Sequence, residues 1–425
     1  MNTAEKLISF FDRSPGPFGA CRSIREELLE NGYLEVEEGN YTVKKGGKYF
    51  LTRNDTSVMA FAIGSSLKDP SLQVTASHTD SPLLKLKPNA LCKDKGKAYL
   101  NVEVYGGPIL HPWFDRPLGL TGRVLYKNND VIASKYYQSK APFALIPSIA
   151  PHLARDKNDI DLKVDLQALV SLDESFSLER FLEEELSLSE GSLLSYDLFL
   201  YPFDSGRVWG PHSEFFSVNH IDDLECAYTC LQGFLNASHE DNINVYLAFD
   251  NEEVGSLTRQ GADSDLFETN LRRIEECLGI AHDTLVHQGM MLSCDNGHAV
   301  HPNHPEFSDK VNAPVMNGGV VIKSNARQSY TSDGIGIALL KDLMDRKKIP
   351  YQFYTNRSDL RGGGTLGNIA LHHVSILSVD IGLAQLAMHS PVETAGTKDV
   401  DAMIALIRAF YTSHYHNSLQ GVSLI

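Results

Sequence analysis

An α/β fold, a mixed sheet sandwiched by helices and holding an inserted β-rich domain, is what this chain of 425 residues predicts. Three observations carry the prediction. Apolar runs of strand length alternate with amphipathic helical stretches towards both ends of the chain, the pattern of a sheet covered on both faces. From about Leu91 to Pro211 the alternation gives way to short runs such as AYLNVEVY and GRVLYKNNDVIAS, broken by glycine and proline. The length also exceeds what one hydrophobic core usually sustains, so two domains are expected, one set into the other.

In chain order, Ala4, Leu7, Ile8 and Phe11 recur at helical spacing, and LQVTASHTDSP from Leu72 reads as a buried strand that runs into a proline-stopped loop. The β-rich stretch with its acidic helical patch SLERFLEEELSL follows, giving an insertion over 91–211 and a catalytic core made of 1–90 and 212–425. Beyond it, DLECAYTCLQGFL sets Leu224, Tyr228, Leu231 and Leu235 on one helix face, and INVYLAFD follows as a strand. MMLSCD, GVVIK, YQFYT and VSILSVDIG are further strands, separated by helical stretches such as GIGIALLKDLMD, with a last helix near KDVDAMIALIRAFYTS.

Composition excludes several classes. No window approaches the roughly 18 apolar residues of a membrane helix, so no membrane role is expected. The net charge of −16 opposes a phosphate-binding surface, which argues against nucleic acid. It also means that a pocket for an acidic substrate needs local positive charge. The start MNTAEKLISFFDRS lacks the basic and apolar regions of a secretory signal, and six scattered cysteines form no disulfide framework; both point to the cytoplasm. Cys226 and Cys230 lie one helical turn apart without a second pair nearby, and read as buried thiols rather than metal ligands.

Five segments place a His, Asp or Glu just after an apolar strand or beside a turn: ASHTDSP (His78, Asp80), NHIDDLE (Asp222), FDNEEVGS (Glu252, Glu253), LSCDNGHAVHPN (Asp295) and LAMHSPVETAG (His389). In open α/β sheets such strand ends build the active-site crevice. Residues i and i+2 of an extended segment share a face, so Asp80 can orient an imidazole of His78 that ligates a metal, although a capped turn uses the same spacing. Glu252 and Glu253 at the end of a buried strand repel each other unless a cation or proton compensates them; a solvated acidic loop is the alternative. Both can serve one site only if the strand stops before them. Asp222, opening a helical run, is either an N-cap or a carboxylate that bridges two metals. His298, His301 and His304 lie among prolines and read as loop-shaping residues. The single-metal helix motif H-E-x-x-H is absent, and two hard cations ~3.5–4 Å apart would clamp an attacking hydroxide and the developing oxyanion.

Read together and in order, SHTDSP, DNEEVGS, SCDNGHAVHPN and QLAMHSPVETAG resemble the motif series of the aspartyl aminopeptidases, over nearly the whole chain. The resemblance implies a metalloaminopeptidase with two divalent ions, zinc in most of the family, with manganese or cobalt compatible with the ligand types. It implies that His78, Asp295 and a bridging Asp222 hold one ion, that Asp222, Glu253 and His389 hold the other, and that Glu252 is the general base for a metal-bridged hydroxide while Asp80 supports His78. In GGVVIKSNARQSYTSDG it implies Lys323 as the group facing an acidic substrate side chain; in APHLA it implies His152 as a histidine that reaches a neighbouring subunit's site. It further implies peptide substrates trimmed at the N-terminus, a dimer made through the insertion, and a tetrahedral dodecamer built from such dimers. Leu360 and Arg361 depart from the family's pattern ahead of the glycine-rich loop, which leaves open a preference for neutral residues such as leucine. Two other readings stay open at this point, a different dinuclear amidase and a non-catalytic scaffold; a scaffold gives no physical reason for Glu252 beside Glu253.

Overall fold

The structure is a computed structural model that describes residues 2–153, 159–360 and 362–425. Its centre is a nine-stranded sheet with spatial order Leu34–Glu35, Lys48–Arg53, Ser57–Ile63, Asn242–Phe249, Ser71–His78, Gly289–Cys294, Leu377–Gly382, Val320–Lys323 and Tyr351–Tyr354. The four strands from Asn242–Phe249 to Leu377–Gly382 are mutually parallel, whereas Ser57–Ile63 and Val320–Lys323 join them antiparallel on either side. The central strands Ser71–His78, Asn242–Phe249 and Gly289–Cys294 are buried at every position. Continuous burial is what a parallel sheet covered on both faces requires, and it explains their near-unbroken apolar sequence.

The covering helices obey the patterns seen in the sequence. Helix Thr3–Arg13 is opened by Asn2, whose side chain accepts from the Glu5 amide while the Glu5 carboxylate accepts from the Asn2 amide, and it buries Ala4, Leu7, Phe10 and Phe11. With helices Ile221–Leu235, Gly334–Lys347 and Thr397–Thr412 it covers one face of the sheet, in a core that includes Leu224, Leu231, Leu340, Leu406 and Phe410. A second core on the other face gathers Phe61, Val74, Leu247, Leu271, Ile274 and Leu366. Burial of such side chains contributes ~1.5–3 kcal/mol each relative to exposure, before the entropy of ordering them is subtracted.

A separate six-stranded antiparallel sheet, drawn from strands between Leu83 and Pro202, has its own core around Trp113, Leu120, Leu198 and Leu182. Its first strand, Leu83–Asp94, follows the loop after His78 almost at once. A third, five-stranded sheet orders Arg207–Trp209, Phe215–Val218, Glu393–Gly396, Ala384–Leu386 and Gly297–His298. This small sheet lies at the carboxyl ends of the central strands and fixes the loops that follow Val218, Cys294 and Leu386 relative to one another. No helix among the described residues is long and apolar enough to cross a membrane.

Candidate metal centre

His78 ends the central strand Ser71–His78 level with Phe249 of its parallel neighbour. The neighbour stops there, and Glu252 and Glu253 follow in a single 3-10 turn entered through Asn251 at φ 64°. Both carboxylates can therefore turn towards the same space. Asp295 follows Cys294, held by its amide to the Ile381 carbonyl at 3.0 Å, and Gly382 allows that approach: a Cβ there would stand 1.8 Å from the Asp295 carbonyl oxygen. His389 sits in the loop after Ala384–Leu386 with φ 69°.

Asp222 is placed differently from the sequence expectation. It does not open a helical run from Asp223; the N-cap position of Ile221–Leu235 is His220, and Asp222 and Asp223 lie in the first turn with non-helical dihedrals. Neither side chain caps the helix. Asp222 Oδ1 lies 3.3 Å from His78 Nε2 and Oδ2 lies 3.4 Å from His389 Nε2, which also stands 3.5 Å from Glu253 Oε2. Asp223 accepts the His78 amide hydrogen at 3.1 Å.

Asp80 is wholly buried. Its main-chain carbonyl lies 3.0 Å from His78 Nδ1 and its carboxylate 3.4 Å, and the carboxylate accepts the Tyr105 hydroxyl at 2.7 Å and the amides of Glu252 and Glu253 at 3.1 Å each. One residue thus orients the imidazole, through its carbonyl and carboxylate, and the acidic turn, through its carboxylate. His389 is oriented in the same way by Nδ1 against the Gly107 carbonyl at 3.0 Å. A ring nitrogen held from behind leaves Nε2 aimed at the cluster.

The electrostatics show what the cluster lacks. Burial pushes the Glu252 carboxyl up to about 7, Asp295 and Asp80 adding repulsion against the attraction of His78. Burial also drives Glu253 well above the ordinary range, and raises Asp295 to about 6 although Lys323 opposes it. Asp222 goes the other way, because its contacts with His389 and His78 outweigh burial. Asp222 Oδ1, Asp223 Oδ1 and Glu253 Oε1 are buried without a hydrogen-bond partner. Orphaned buried carboxylate oxygens are costly unless a cation takes them. Two sets of donor atoms meet that need, each mutually within 4.8 Å: His78, Asp222, Asp223 and Asp295, and Asp222, Glu253 and His389. Mixed imidazole and carboxylate donors suit a divalent metal such as zinc.

Asp222, Glu252, Glu253, Asp295 and His389 line a cavity of about 280 Å³. Lys323 forms part of its wall, its Nζ donating to the Asp295 carbonyl at 2.7 Å, 3.4 Å from Asp295 Oδ2 and 5.3 Å over the Tyr330 ring. His152 does not reach the cavity within one chain; it is exposed on a turn leading off the second sheet. Arg361 lies outside the described residues.

Known proteins match this chain in sequence and in fold. The family model described as aminopeptidase I zinc metalloprotease (M18) covers residues 10–411. The chain belongs to the M18 family. The Probable M18 family aminopeptidase 2 of Clostridium acetobutylicum is 40% identical over 412 residues, 93% of this chain and 95% of its own. The corresponding Pseudomonas fluorescens SBW25 protein is 35% identical over 420 residues, 96% of this chain and 97% of its own. Among solved structures, an S. cerevisiae mApe1 dodecamer superposes with a TM-score of 0.86 at 26% identity over 96% of each chain. An M18 family aminopeptidase from Thermotoga maritima gives 0.84 at 25% identity over 96% of this chain and 95% of that one. This M18 chain is accordingly an aminopeptidase, a hydrolase of the metallopeptidase class.

Three residues of this M18 chain escaped the sequence reading. His298, taken there as loop-shaping, lines the cavity. Asp223 joins the first donor set, and the only hint was its adjacency to Asp222. Glu393 is buried behind the site; Oε1 accepts the His389 amide at 2.6 Å and Oε2 the Asp222 amide at 3.1 Å. Gln385 joins Glu393 to Asn296, the residue after Asp295. The hint for Glu393 was its place four residues after His389 in QLAMHSPVETAG, which helical or strand periodicity does not interpret.

Proposed function

We propose that the chain removes the N-terminal residue of peptides, with acidic residues preferred, using two divalent ions, zinc or in its place manganese or cobalt. His78, Asp222 and Asp295 would hold one ion and Asp222, Glu253 and His389 the other. The observation that carries this reading is Asp222 itself, whose two carboxylate oxygens face imidazoles of opposite sets at 3.3 and 3.4 Å. When bound, such ions acidify a water and draw off the charge that develops on the scissile carbonyl oxygen.

The chain's own residues supply the rest. Glu252 lines the cavity without belonging to either donor set, and it is the carboxylate placed to take a proton from the attacking water and pass it to the leaving amine. Asp80 keeps His78 and the Glu252–Glu253 turn in register. Lys323 donates to the Asp295 carbonyl at 2.7 Å and stands 3.4 Å from both the Asn296 carbonyl and Asp295 Oδ2, so a substrate carboxylate would share its ammonium with Asp295. That is the local cation which a chain of net charge −16 needs in order to hold an acidic residue.

We place most of the second sheet in an inserted dimerisation domain over 91–211, carried by a core of 1–90 and 212–425 from which its first strand, Leu83–Asp94, enters, with His152 completing a neighbour's site in trans. Exposed Ile149 and Leu153, beside His152, support this contact. A homo-oligomer follows, and the dodecameric relative favours a tetrahedral assembly of dimers. Free thiols throughout the chain suit a reducing cytoplasm.

The test is turnover of aspartyl, glutamyl and leucyl chromogenic amides after chelation and after return of zinc, manganese or cobalt. Cleavage is expected only with metal, to favour the acidic amides, and to fall ~10²–10⁴-fold in Glu252→Ala. Lys323→Ala should lower aspartyl turnover far more than leucyl. Equal losses would remove Lys323 from substrate selection, and a leucyl preference in the wild type would replace the acidic one.

A further inference from the structure

A larger cavity, of about 630 Å³, adjoins the reaction cavity and shares Asn356 as a wall. Asn356 donates through Nδ2 to the hydroxyl of Tyr354, which lines the reaction cavity, at 2.9 Å, and accepts through Oδ1 from Asn325 at 3.3 Å. The second cavity is bounded by the loops that follow Val320–Lys323 and Tyr351–Tyr354, so it opens beside the end of Lys323.

Among the described residues two guanidinium groups line it, and they differ. Arg357 is held and compensated: it grips Asp359 at 2.6 and 3.0 Å, donates to the Glu306 carbonyl and lies 5.6 Å over the Phe307 ring. Arg327 is exposed, and among the described residues no carboxylate pairs with it. The one carboxylate of the lining, Asp309, accepts the amides of Val311 and Asn312 at 3.0 and 2.8 Å. Beside the reaction site the cavity therefore offers one guanidinium, Arg327, that no described carboxylate engages, with Asp309 turned to its own loop amides.

An aminopeptidase admits one residue ahead of the bond it cuts, and in the reading above that residue's side chain meets Lys323. Every later residue has to leave the reaction cavity. We propose that the departing peptide runs past Asn356 into the second cavity, and that Arg327 favours an acidic side chain at its second or third position. The inference rests on the placement of the first residue at Lys323.

The probes are tetrapeptides that begin Asp-Ala-Ala, with Glu, Ala or Lys substituted at position two or three, cut by the metal-loaded protein. In the wild type kcat/KM should be about two- to fivefold higher for Glu than for Ala, as an exposed ion pair gives, and lower again for Lys. The ratio should shrink with added salt. Arg327→Glu should invert the order at whichever position responds. Equal rates for the three peptides in the wild type, or an acidic preference that survives in Arg327→Glu, would overturn the proposal. If Asp-Ala-Ala-Ala itself is not cut, the reading of the reaction fails and takes this one with it; if it is cut and the series is flat, only the second cavity is misassigned.

Discussion

Two carboxylates outside the proposed ligand sets hold the candidate metal centre in shape. Asp80 binds the imidazole of His78 and the turn that carries Glu252 and Glu253; Glu393 binds the backbone on either side of the cavity, at Asp222 and His389. Glu393→Gln keeps the volume but replaces one acceptor with a donor, so one of the two amides loses its partner. The expected outcome is ~10–100-fold weaker binding of the ion proposed at Asp222, Glu253 and His389, the usual effect of disturbing groups behind a metal ligand. Equilibrium metal titration of the folded variant reads this directly. Binding equal to the wild type would leave Glu393 a plain core residue. Asp80 was legible because His-x-Asp spacing has a physical meaning in an extended segment. Glu393 was not, because it acts on backbone amides brought to it by a sheet that local periodicity does not reveal.

The elements that carry the ligands are set by where strands stop and how closely their ends approach. Burial across Ser71–His78, Asn242–Phe249 and Gly289–Cys294 was legible from apolar runs, and so was the strand end ahead of Glu252 and Glu253. The start of Ile221–Leu235 was not. An Asp-Asp pair before an apolar helix reads as a capping signal, whereas contacts with His78 and His389 turn both residues out of the helical path. The third sheet was also invisible, since its strands Gly297–His298 and Ala384–Leu386 are too short to show alternation. Gly382 joins two of these elements. Gly382→Ala would set a methyl against the Asp295 carbonyl, where 1.8 Å is available. The strand must shift, at a cost of ~1–3 kcal/mol as in other overpacked cores, and Asp295 must move with it. Urea unfolding should show the loss together with weaker metal binding; an unchanged midpoint would mean that the strand ends yield more easily than their contacts imply.

Taken across the chain, the fold gathers buried acids around one space and keeps them there without enough cations of its own. Glu225 and Glu393 are raised to about 8, Asp250 to about 7 and Asp295 to about 6, in each case first by burial. In the unfolded chain these groups titrate near ~4. The sign follows from proton binding. Between ~4 and the raised value the folded chain still holds a proton that the unfolded chain has released, so stability falls as pH rises. His78 adds to the same trend, because contacts with Asp222 and Asp223 outweigh its burial and hold its pKa well above the ordinary value; the stability it gives is complete below ~6.5 and is lost as pH climbs through the raised pKa. Asp222 opposes the trend only in acid, where its depressed carboxyl must be protonated. Chelated protein should accordingly show a urea midpoint that drops steadily from ~pH 5 to ~pH 8.5, the interval between the unfolded and raised values. Bound divalent metal favours the ionised carboxylates and so should lift the midpoint and flatten this slope, most at the alkaline end. A midpoint that rises with pH in the chelated protein would mean that water or counter-ions already compensate the cluster, and the case for metals as its missing charge would weaken.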